Sequence, residues 1–160
     1  MEINKEIINI ATGEVKKGNA KNILVSNGIG SCIVVAAINH QKQIGGMAHI
    51  MLPGKAPLKE TQSKTKYTED AIETLLQLLE IPNYNTSFLN VCLIGAGNVL
   101  KKPDDTICIS NIYSLLTVLK DLRIKISAAS LGGDMRRTVR FNIETGEVYL
   151  TEGDSGPILV

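Results

Sequence analysis

The chain has 160 residues, 44% of them hydrophobic, which suits one domain with a continuous core. Seventeen Lys and Arg against sixteen Asp and Glu leave a net charge of +1, too weak a field to hold a nucleic-acid backbone. No apolar run approaches the ~20 residues that cross a bilayer and the first residues lead into no signal-peptide segment. No membrane insertion is expected, and the cytoplasm is the expected compartment.

Residues 22–26 (NILVS) read as a strand, 27–31 (NGIGS) as a tight turn, 32–38 (CIVVAAI) as a second strand and 43–51 as a third. Residues 53–65 carry Pro, Gly, Lys, Thr and Ser without apolar periodicity and read as a long exposed loop. Helical spacing runs from Tyr67 to Leu79, with Pro82 as its stop, and a buried strand follows over 88–96. Residues 111–122 repeat the helical pattern with Ser110 as N-cap. Strands are expected over 124–129, 138–143 and 147–151, the last two joined by a turn at Glu144-Thr145-Gly146. The order βββαβαβββ alternates too little for a doubly wound parallel sheet, so an α+β fold with mainly antiparallel sheets is expected, as one domain over 1–160.

Three cysteines make an odd count, which argues against a disulfide framework. Cys92 lies in an apolar strand and reads as core. Cys108 sits between Ile107 and Ile109 at the approach to a helix, with no neighbour in sequence that would lower its pKa, and also reads as structural. Cys32 has more around it.

Strands 32–38 and 43–51 are joined by a few polar residues and form an expected antiparallel hairpin. With His40 and Gln41 as a two-residue tip, Cys32 falls directly opposite His49. Opposed side chains have Cβ atoms about 4.5–5.5 Å apart, close enough for an imidazole to take a thiol proton. In the turn before the cysteine, Gly28 and Gly30 let the backbone aim the N–H groups of Ser31 and Cys32 at an oxyanion. A thiol attacking a carboxamide needs a thiolate, a base that later protonates ammonia, and oxyanion donors, and this segment supplies all three without a cofactor.

Other motifs carry less. Gly153-Asp154-Ser155-Gly156-Pro157 resembles a serine-protease nucleophile segment, but the chain ends a few residues later, so it reads as a turn. Asn27-Gly28-Ile29-Gly30 is followed by β-branched residues rather than a helix, which excludes a dinucleotide loop. His40 and His49 have no cysteine or carboxylate at zinc-ligand spacing, so no metal is expected. The basic clusters Arg136, Arg137, Arg140 and Lys55, Lys59, Lys64, Lys66 read mainly as solvated surface.

Gly28-Ile29-Gly30-Ser31-Cys32 followed by Gly45-Gly46-Met47-Ala48-His49-Ile50-Met51-Leu52-Pro53 resembles the signature of the chemoreceptor glutamine deamidases, the CheD family. The resemblance continues through Lys66-Tyr67, Asp70-Ala71-Ile72, Gly95-Ala96, Asn111, Gly132-Gly133, Arg137 and residues 141–146, covering most of 22–150. It implies a layered α/β sandwich with the catalytic pair on the hairpin, Cys32 as nucleophile and His49 as base. A threonine of the family stands where this chain has Ser26, which keeps the hydroxyl that would orient the imidazole. Gly97-Asn98-Val99-Leu100 departs from the family pattern and puts partner contacts in question. The resemblance further implies methyl-accepting chemotaxis receptors as protein substrates, glutamyl methyl esters as a second substrate in some members, and a CheC-like phosphatase as a partner. The competing expectation is a regulatory binding module for that phosphatase or a receptor, with little catalysis.

Overall fold

The structure, a computed structural model, describes residues 4–160 other than 82 and 84. Ten strands are described: β1 (Glu6–Asn9), β2 (Val15–Gly18), β3 (Asn22–Ile29), β4 (Ile33–Asn39), β5 (Ile44–Ile50), β6 (Leu89–Gly95), β7 (Lys125–Leu131), β8 (Arg137–Asn142), β9 (Glu147–Glu152) and β10 (Ile158–Leu159). The two α-helices are α1 (Thr68–Leu78) and α2 (Thr106–Asp121). One sheet has the order β1-β3-β8-β9-β10 and the other β2-β5-β4-β6-β7. Only the β1–β3 and β6–β7 ladders are parallel, so the α+β fold with mainly antiparallel sheets is observed.

Alternation along β4 explains the layering. Its odd residues Ile33, Val35 and Ala37 pack with Ile72, Leu75 and Leu76 of α1 and Leu115 and Leu119 of α2. Its even residues Val34, Ala36 and Ile38 pack with Leu24, Val139 and Phe141 of the other sheet. Helices, inner sheet and outer sheet therefore form three layers, and β4 is buried along its whole length because both faces are covered.

Several boundaries differ from expectation for identifiable reasons. Helix α2 begins at Thr106, with Asp105 rather than Ser110 at its N-cap position. The run Ile107-Cys108-Ile109 masks the helical period, because both isoleucines are exposed and only Cys108 faces the core. The proline at 82, expected to stop the first helix, lies outside the described residues. Strands β1, β2 and β10 were not expected; each has four residues or fewer, too short to display a period. Arg137 is not solvated surface: it is 5% exposed, because on β8 it shares the inward-facing set with Val139 and Phe141.

The hairpin register is the main correction. Asn39 pairs with Ile44, not Lys42, which leaves residues 40–43 as a four-residue loop. Asn39 Oδ1 closes that loop by accepting from the Gln41 and Lys42 N–H groups at 3.2 and 3.4 Å, and Gln43 takes a left-handed conformation with φ 54°. Val34, not Cys32, therefore stands opposite His49.

Candidate active site

A register displaced by two residues keeps the parity that a displacement of one would reverse. Extending the ladder one step past Ile33 and Ile50 puts Cys32 level with Met51 and diagonal to His49. Diagonal neighbours on adjacent strands lie about 7–8 Å apart, within reach of long side chains.

Cys32 is half-buried and lines a cavity of about 260 Å³ where the layers meet at one end of β4. Gly28, Gly30 and Ser31 form one wall, Asp105 and Cys108 of the α2 entry another, and Arg136 reaches it from the outer sheet's side. Gly28 has φ +65°, the conformation its lack of a side chain permits. The Gly30 and Cys32 carbonyls accept from Gly97 N–H at 2.9 Å and Ala96 N–H at 2.8 Å. The N–H groups of Ser31 and Cys32, by contrast, have no backbone acceptor among the described residues. Burial pushes the Cys32 thiol up, and its own backbone N–H partly opposes this.

His49 is 1% exposed in the middle of the inner sheet's outer-sheet face. Its backbone is fixed by the residues just before β2, donating to the Glu14 carbonyl at 3.0 Å and accepting from Gly13 N–H at 2.8 Å. Its Nδ1 lies 2.8 Å from Ser26 Oγ, and the Ser26 hydroxyl donates to the Ile10 carbonyl at 2.8 Å. A hydroxyl has one proton, so with that proton on Ile10 the ring must donate from Nδ1, and Nε2 carries the lone pair. Nε2 is buried without a partner, so Cys32 and His49 share no hydrogen bond here. Burial pushes the His49 pKa down, and the Ile10 carbonyl pulls it partly back. With the thiol pushed up and the imidazole pushed down, both groups are neutral at rest.

The other two cysteines differ from Cys32. Cys92 is buried between the sheets and Cys108 on the inward face of α2; burial pushes each to about 11, with Asp105 adding to the shift at Cys108. The expected structural role of both agrees with that burial. Gly153–Pro157 makes an exposed turn between β9 and β10, and no group of three His, Cys, Asp or Glu residues that could hold a metal occurs among the described residues.

A sequence model of the CheD family, described as CheD chemotactic sensory transduction, matches residues 51–152. A protein of Chlorobium luteolum named probable chemoreceptor glutamine deamidase CheD is 35% identical over 144 residues, covering 90% of this chain and 72% of its own. The chemoreceptor glutamine deamidase CheD of Thermotoga maritima is 30% identical over 152 residues, covering 95% and 94% of the two chains. This chain belongs to the CheD family. A probable CheD deamidase of Clostridium botulinum is similar at 30% over 147 residues. The family model begins past both Cys32 and His49, whereas alignments covering nine-tenths of the chain take both in.

Three residues beside this candidate site have contacts that residue type alone does not signal, although Asn111 and Arg137 stand among the residues of the resemblance. Ile10 acts through a backbone carbonyl, which no residue type signals. Arg137 donates to the Gly95 carbonyl at 2.9 Å, the Gly132 carbonyl and Glu152 Oε1 at 2.9 Å, bracing the strand end beside Cys32. Its place in the alternating pattern of β8 was the available signal. Asn111 is buried on α2 against the same segment.

Proposed function

We propose that this chain deamidates glutamine side chains of methyl-accepting chemotaxis receptors, with residues 1–160 acting as one deamidase domain. The observation that carries the reading is the His49 ring, held by Ser26 with a bare Nε2, on the strand beside the one that Cys32 precedes. Family membership supplies the substrate class.

Cys32 Sγ attacks the amide carbon while His49 Nε2 takes the thiol proton. The Ser31 and Cys32 N–H groups hold the oxyanion. His49 returns the proton to the departing nitrogen, the C–N bond breaks, and ammonia leaves a thioester on Cys32. Water, deprotonated by His49, hydrolyses the thioester to glutamate and restores the thiol. The neutral resting pair favours proton transfer on substrate arrival over a standing thiolate–imidazolium pair. Each turnover adds one negative charge to a receptor helix, altering repulsion between neighbouring helices.

No helix among the described residues is long and apolar enough to cross a membrane, and the cytoplasmic helices of receptors are the substrate in this reading. A CheC-like phosphatase as partner belongs to the same proposal and rests on the resemblance alone. The names of the relatives favour the enzyme over a binding module with little catalysis. Mass spectrometry of purified receptor cytoplasmic fragments tests the reading. A one-dalton increase at specific glutamines supports it, and unchanged masses across the host's receptors would sink it.

A further inference from the structure

We propose that Asn111 is a positioning residue that holds the Cys32 segment against the strand carrying His49. The inference rests on the deamidase reading above. Backbone pairing between β4 and β5 ends at Ile33 and Ile50, one residue short of Cys32. Beyond that point the two strands take other partners: the Cys32 carbonyl turns to Ala96, and the Met51 N–H to the Lys66 carbonyl. The open end of the hairpin therefore has no rung of its own.

Asn111 supplies one from α2. Its Nδ2 donates to the Ser31 carbonyl at 3.0 Å and to the Met51 carbonyl at 3.2 Å, so the amide's two protons bridge the two strands. One contact is the residue before Cys32 and the other lies two residues past His49. Asn111 is 1% exposed, and its Oδ1 is buried without a partner. Helix packing alone would favour an apolar residue, as at the other inward positions Cys108, Leu115 and Leu119. The orphaned acceptor is a cost, and the two donated hydrogen bonds are what the position gains. One helical turn earlier, Cys108 lines the Cys32 cavity, so the same face of α2 closes over the nucleophile.

Losing the bridge frees the Ser31 carbonyl and lets the Gly28–Cys32 turn move relative to His49. The ionisable groups around Cys32 are His49 from β5, Asp105 and Cys108 from α2, and Asp104, Lys102 and Arg136 at the cavity wall. None of them changes in an Asn111 variant.

The test uses the full chain with Asn111→Leu, Asn111→Ser and Asn111→Ala. Deamidation kinetics on receptor fragments are measured alongside the pH dependence of iodoacetamide alkylation at Cys32, read on its own peptide by mass spectrometry. The leucine variant is expected to lose at least tenfold in kcat with KM within twofold of wild type, and its alkylation midpoint should rise. Serine, with one short donor, should fall between alanine and wild type in both readouts. A folded leucine variant with wild-type kcat and alkylation profile overturns the proposal; if that variant does not fold, equal values for serine and alanine do so. Alkylation needs no receptor, so failure of wild type to deamidate any fragment removes the deamidase reading while the alkylation profiles still judge Asn111.

Discussion

Ser26 Oγ lies 2.8 Å from His49 Nδ1 and donates its own hydrogen bond to the Ile10 carbonyl, so a serine fixes which nitrogen of the imidazole is bare. Ser26→Ala leaves both the ring N–H and the Ile10 carbonyl buried without partners, each costing about 1–3 kcal/mol when unsatisfied. Deamidation by Ser26→Ala is expected to fall roughly tenfold, in line with the loss of about 1.4 kcal/mol of orientation. Ser26→Thr keeps the hydroxyl and should stay within a few-fold of wild type. Equal rates for alanine and wild type in the mass assay would remove Ser26 from the site.

The three thiols differ in access. Cys32 is half-buried in an open cavity, whereas burial pushes Cys92 and Cys108 to about 11. Brief iodoacetamide treatment at pH 8 should label the Cys32 peptide first and inactivate in proportion to that label. Cys32→Ser should lose all measurable deamidation while circular dichroism stays native. Cys92→Ser and Cys108→Ser should retain the chemistry unless the core is disturbed. Activity surviving in folded Cys32→Ser would end the nucleophile assignment.

Much of this site was legible because β4 and β5 read as short apolar runs joined by a short polar connection. The tip lacks an Asn-Gly pair, so the register was not fixed by sequence, and the observed loop runs over residues 40–43. Even residues of β4 still stand opposite odd residues of β5 because the displacement was two, which is why Cys32 and His49 remain diagonal neighbours. The N-terminal strands were illegible for a different reason. Four residues of β1 and four of β2 do not display a period, yet Ile10 between them anchors Ser26 and Glu14 anchors His49. Asn111 and Arg137 were visible as residues of the resemblance, but their work is done through carbonyl contacts at Ser31, Met51 and Gly95 that only the folded chain brings together.

Burial lowers the His49 pKa below its ordinary 6.5, so the folded chain prefers the neutral ring. Between pH 6.5 and the lower folded value, the unfolded chain binds more protons than the folded one. Stability from this source is therefore complete above about pH 6.5 and is lost as pH falls through that window. The urea midpoint of wild type should drop from pH 7.5 to pH 5.5, and the drop should shrink in His49→Gln, which has no titrating ring. An unchanged drop would assign the acid sensitivity to other groups. The same shift keeps the base unprotonated below neutrality, so the acid limb of kcat/KM should lie below 6.5.

Gly95 ends β6 at φ +133°, and a β-carbon there would collide with the Cys32 carbonyl and press on Ile29 and the Ile33 backbone. The Gly95 carbonyl also receives Arg137 and the Gly132 N–H, and the next residue, Ala96, donates to Cys32. Backbone strain and collision coincide at one position that frames Cys32. Gly95→Ala should lose roughly 1–3 kcal/mol of stability from strain alone, and its deamidation rate should fall further than the folded fraction explains. Gly54→Ala is the control: φ is +75° with nothing within 4 Å of the added carbon, so it carries strain without collision. Its activity per folded molecule should match wild type. If Gly95→Ala also deamidates at the wild-type rate per folded molecule, the close approach of β6 to Cys32 has no part in catalysis.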